Sequence, residues 1–111
     1  MAVSPELELK LNKLSELNMK VCNIYSEMTA NSKKYIDDIF RFNATVSATA
    51  KRMAVSYAKK NIMANEELEI ELAKAEREAR TVADEISIML AEEQSDFIDQ
   101  LLGWREPEGK L

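Results

Sequence analysis

The chain has 111 residues with only two glycines and two prolines, all near its ends, and no residue between Glu6 and Leu102 that breaks a helix outright, which excludes a β-rich or loop-rich fold. Apolar residues make up 46% and charged residues 32%; spaced periodically, that mixture marks long helices that bury one stripe and solvate the rest, and it argues against disorder. The net charge of −5 makes nucleic acid a poor partner, since phosphate binding needs an uncompensated basic face, and 111 residues leave room for one domain, taken as 1–111.

A first helix is expected near 5–30. Ser4 is placed to cap it, Pro5 suits its first turn, and Glu6 and Glu8 favour its positive end. Leu7, Leu11, Leu14, Leu17, Val21, Ile24 and Met28 then recur at steps of three and four, a single apolar seam. The seam weakens at Thr29-Ala30-Asn31-Ser32, where Asn31 or Ser32 would cap a new helix or the chain would bend gently. Cys22, the lone cysteine, rules out an internal disulfide framework; beside Val21 and Ile24 it reads as a buried or half-buried small apolar residue.

The second helix is expected near 32–61, carrying Tyr35, Ile39, Phe42, Val46, Met53 and Tyr57 at helical spacing. Its centre is rich in Ala, Ser and Thr, which permits close approach of a neighbouring helix. Asn61 reads as a helix terminator and Asn65 as the next N-cap, with a turn between them. The third helix, near 65–102, has the cleanest stripe: Leu68, Leu72, Ala75, Ala79, Val82, Ile86 and Met89. Gly103 is placed as its cap, and 1–4 and 103–111 are expected to fray.

Charge changes sign between the last two segments. Residues 32–64 carry seven bases against Asp37 and Asp38, whereas residues 65–102 carry three bases against twelve acids. Folding about Asn61–Asn65 sets Lys59 and Lys60 near Glu66 and Glu69, Lys51 and Arg52 near Glu76 and Glu78, and Arg41 near Glu85. The expectation is therefore all-α, with three long helices: helices 2 and 3 form an antiparallel coiled-coil-like hairpin, and helix 1 packs along it or against another copy. Exposed ion pairs of this kind add little stability but select register.

No catalytic, cofactor-binding or metal-binding residues are expected. With no histidine there is no Ser-His or Cys-His pair, and the Glu-x-x-His motif of metal sites in bundles is missing. The acidic clusters read as a solvated face. No apolar run approaches a membrane span, and Met1–Glu8 has neither a basic nor an apolar signal region, which points to the cytoplasm or to exit by a signal-less route. The methionines serve as core filler or as an adaptable groove for a partner helix. Trp104 either folds back or anchors a partner.

Leu11, Leu14, Leu17, Val21, Phe97, Leu101 and Trp104 are the candidate interface. The functional expectation is a non-enzymatic coiled-coil interaction or assembly protein, not an enzyme, that self-associates or clasps a partner helix. Its protein partner is thus another copy or a different chain, giving a homo-oligomer or hetero-complex. The alternative is a signal-less secretion-associated protein: an export chaperone or small exported helical subunit of a bacterial specialised secretion system.

Overall fold

The structure, a computed structural model, describes residues 4–104; residues 1–3 and 105–111, most of the expected frayed ends, lie outside the described residues. Two helices, α1 (Pro5–Ala44) and α2 (Ala48–Gly103), make up nearly all of it. They fold back on each other in one hairpin with extents of 93 × 24 × 16 Å. α1 begins as its sequence predicts: the Ser4 hydroxyl accepts from the Leu7 amide at 3.1 Å, with Pro5 following in the first turn.

The three-helix expectation is wrong. α1 continues through Asn31 into the first half of the expected second helix, and α2 takes up its second half and runs without interruption through 61–65. The chain turns instead at Thr45-Val46-Ser47, in the middle of the expected second helix. There Thr45 and Ser47 are both extended. The Thr45 hydroxyl accepts from the Ser47 amide at 3.2 Å, and the Ser47 hydroxyl accepts from the Ala50 amide at 3.3 Å, capping α2. Two β-branched residues followed by a serine are enough to end one helix and start the next without glycine or proline.

The asparagines read as caps are polar layers of the seam. Asn31 Nδ2 donates to Asn65 Oδ1 at 3.1 Å, and Asn61 Nδ2 donates to the buried Asp38 carboxylate at 3.1 Å. Taken with these layers, the three-four stepping never lapses. In α1 it runs Leu7, Lys10, Leu14, Leu17, Val21, Ile24, Met28, Asn31, Tyr35, Asp38, Phe42, Thr45; in α2 it runs from Lys51 through Ala54, Ala58, Asn61, Asn65 and Leu68 to Glu93. These positions are the buried or half-buried ones. Counted outward from the Asn31–Asn65 bond, Met28 is level with Leu68, Ile24 with Leu72, Val21 with Ala75, Leu14 with Val82 and Leu7 with Met89. Towards the turn, Phe42 is level with Ala54.

Val21 and Phe42 thus face alanines, and both Ala75 and Ala54 are buried, whereas the other pairs set large residues against each other. The core is thin all the same. Only Leu7, Leu17, Ile24, Ala54, Ala75 and Ile86 are buried among the apolar residues described. Two helices present one seam to each other and leave every other face to solvent, so the hairpin is a small core for its length.

Candidate interaction surface

The two sides of the α1 seam differ in charge. Residues just before the seam positions include Glu6, Lys13, Glu16, Lys20, Glu27, Lys34, Asp37 and Arg41. Residues just after them begin with Glu8 and continue, in the first half, with Leu11, Ser15, Asn18, Cys22 and Tyr25, and in the second with Thr29, Ser32, Ile36, Ile39 and Asn43. The ten from Leu11 to Asn43 are exposed, Cys22 among them against its expected burial, and none is charged. Chance placement in a chain one-third charged would put about three charges there, so this flank is a distinct surface, not ordinary helix exterior.

α2 extends the same side. Tyr25 donates to Glu76 Oε1 at 3.0 Å, and Asn65 Nδ2 donates to the Ser32 hydroxyl at 3.2 Å, which sets Glu76 and Asn65 beside the flank. Near the turn, Ile39, Phe42, Val55 and Ile62, with the charged Asp38 and Lys59, line a shallow and largely apolar groove of about 260 Å³. The groove exists because Ala54 and Ala58 are too small to fill the seam opposite Phe42. Ala83 and Leu90 follow seam positions in the same way near the open end, but so do the charged Arg52, Lys59, Glu66, Glu69, Glu76 and Arg80.

α2 outruns its partner. The Ser4 amide donates to Glu93 Oε1 at 3.2 Å, level with the start of α1, and α2 continues to Gly103. Phe97, Ile98, Leu101, Leu102 and Trp104 lie on or just beyond this overhang, and all are exposed. Trp104 caps the helix, its amide donating to the Leu101 carbonyl at 3.3 Å.

The expected interface residues therefore fall into three groups. Leu17 is buried, and Leu14 and Val21 half-buried, against α2 within the same chain. Leu11 stands on the uncharged flank, while Phe97, Leu101 and Trp104 stand on the overhang. Tyr25, Ile36 and Ile39 were missed as surface residues, although their spacing one position past the seam was readable.

The expected charge register fails with the turn it was built on. Arg41 Nη1 lies 3.8 Å from Asp38, within α1, and not beside Glu85. Glu85 pairs instead with Lys10, and Glu76 accepts from Tyr25. Lys51 Nζ donates to the Phe42 carbonyl at 3.2 Å and sits 4.2 Å from the Phe42 ring centroid, a cation–π contact across the turn. Arg52 Nε donates to the Ala48 carbonyl at 3.4 Å. Lys59, Lys60, Glu66, Glu69 and Glu78 form no ion pair among the described residues. Hydrogen bonding to Glu85 raises the Lys10 pKa, and hydrogen bonding to Glu76 raises that of Tyr25.

Turning at 45–47 folds the basic segment onto itself. Lys33, Lys34 and Arg41 come to the same end as Lys51, Arg52, Lys59 and Lys60, with only Asp37 and Asp38 to offset them. At the open end, residues 4–18 and 78–104 carry ten acids against Lys10, Lys13 and Arg80. The hairpin is polarised along its length, basic at the turn and acidic at the open end.

No group of three His, Cys, Asp or Glu among the described residues is arranged to hold a metal, and no helix among them is long and apolar enough to cross a membrane. No protein-family model, curated protein or solved structure matches this chain.

Proposed function

We propose that this chain is a non-enzymatic assembly module: a long helical hairpin that presents the uncharged flank of α1 to another helical surface, in a second copy or in a partner protein. The observation that supports this is the ten-residue flank from Leu11 to Asn43, exposed and without charge, on a hairpin whose own core is thin. Interfaces differ from other surfaces mainly by the depletion of charge at their centre, and this flank has that property over the length of a helix. The overhang with Phe97, Leu101 and Trp104 supplies large apolar anchors of the kind that dominate binding energy.

The test uses Ile36→Lys with Ile39→Lys. Both positions are exposed, so the hairpin tolerates the change and its far-ultraviolet circular dichroism stays helical. Association, read as mass by light scattering or as a specific protein retained from source cells, should occur with the native chain and disappear with the variant. Association that survives the variant unchanged, or that the native chain never shows, would reject the flank as the working surface.

A further inference from the structure

We infer that the occupant of this flank is a second copy of the chain, lying side by side and antiparallel, so that the turn of each hairpin covers the open end of the other. The inference rests on the assembly reading above and adds the partner and its orientation.

Charge decides the orientation. Two hairpins lying parallel would bring together two ends of seven bases each and two of ten acids each, with Lys34 and Arg41 on the side of the seam away from the flank. Antiparallel, each basic turn meets an acidic open end, and the match occurs twice. Like charges brought together disfavour the wrong partner more strongly than opposite charges reward the right one, so the field selects one arrangement. A two-fold axis also closes the assembly, since both copies use the same surface.

Apolar and small residues follow the same symmetry. Ile36, Ile39, Val55 and Ile62 near the turn would face Leu11 and Leu90 near the open end of the other copy. The axis falls near the middle of α1, where Asn18, Cys22, Thr29 and Ser32 surround Tyr25, so the two half-exposed Tyr25 side chains would meet across it. The overhang is accommodated in part. Only its base, next to Glu93, would lie beside the turn of the second copy, where Val46 is 100% exposed, and the rest would project beyond that turn.

The experiment places one spin label at Val46→Cys in a Cys22→Ser background and measures the distance between labels by pulsed dipolar spectroscopy. With α1 forming the overlap at 1.5 Å per residue, the two turns of an antiparallel pair should lie about 60 Å apart. Turns within about 20 Å would show a parallel pair, overturning the orientation while leaving the flank as an interface. A protein that stays monomeric at every concentration would overturn the second copy as occupant and leave the flank for a different protein.

Charge reversal gives a second readout. Arg52→Glu, Lys59→Glu and Lys60→Glu together should weaken dimerisation at least tenfold. Adding Glu8→Lys, Glu92→Lys and Asp96→Lys should restore part of it, because the open end then loses most of the acidic excess that would repel the reversed turn. Failure of the combined variant to recover affinity would contradict the end-to-end match.

Discussion

Asn31 and Asn65, 34 residues apart in sequence, join side-chain amides across the hairpin at 3.1 Å. Asn65 also donates to the Ser32 hydroxyl and, at 3.5 Å, to the Met28 carbonyl, so its amide is satisfied within the seam. A slip of one heptad would part the two amides, setting Asn31 against Leu72 or Ala58 and Asn65 against Asp38 or Ile24. The pair therefore specifies alignment at some expense of stability, the role best attested for polar residues in helical seams.

Replacing Asn31 alone with Leu should lower stability by about 1 kcal/mol, because Asn65 loses a partner while remaining in the seam. Replacing both with Leu should raise the urea midpoint above that of the native chain, yet broaden the species seen on sizing chromatography. A double variant that is both less stable and homogeneous would contradict a registering role.

Asn61 serves Asp38, not a helix end. Asn61→Ala should cost about 1–3 kcal/mol by removing the hydrogen bond to a buried carboxylate. Asp38→Ala with Asn61→Ala should recover part of that loss, and a double-mutant cycle in chemical denaturation would measure the coupling. Additive effects would mean that the two side chains do not depend on each other.

Ala75 is 1% exposed and level with Val21. Ala75→Leu inserts three carbons where the backbones are close, so it should destabilise the hairpin by about 1–3 kcal/mol despite the better helix packing leucine normally provides. The same substitution at the exposed Ala73 should be nearly neutral, and comparing thermal midpoints separates packing from propensity.

Ion pairs should follow the hairpin register. A charge-reversal cycle on Lys10 and Glu85 should show coupling that falls with added salt, whereas Lys51 and Glu76 should show none. The Lys10 and Tyr25 pKa values are both raised, so the stability each contributes is fully present below its ordinary value near 10 and is lost as pH rises through the elevated one. The thermal midpoint of the native chain should accordingly approach that of a Lys10→Met, Tyr25→Phe variant between about pH 10 and 12. A gap that stays constant across that range would contradict both contacts.

Much of this architecture was readable from side-chain spacing. The seams from Leu7 to Met28 and from Leu68 to Met89 are as the three-four pattern predicts, apart from Leu11, which yields its place to Lys10. Lys10 enters the seam because its stem is apolar and its ammonium reaches Glu85, while Leu11 stands one position round the helix. The turn was not readable in the same way. Asparagine suits both a helix cap and a polar seam layer, and only the unbroken stepping through Asn31, Asn61 and Asn65 distinguishes the two. Thr45-Val46-Ser47 carries no glycine or proline, so its breaking power comes from hydroxyl groups that also occur throughout the neighbouring helical turns.

The charge inversion was equally visible, but its meaning depends on the turn. About 61–65 it would neutralise the hairpin internally; about 45–47 it polarises the molecule and leaves the compensation to a neighbour. The uncharged flank of α1 was legible as well, once the seam positions are extended past Met28.

The position of the turn is the point on which the seam, the flank and the polarity all stand. Val46→Cys and Arg80→Cys in a Cys22→Ser chain, labelled and diluted into unlabelled protein, report it as one distance. A continuous α2 places the labels about 50 Å apart at 1.5 Å per residue. A separation near 10 Å would mean that the chain folds back between them, about 61–65, and would contradict the single hairpin.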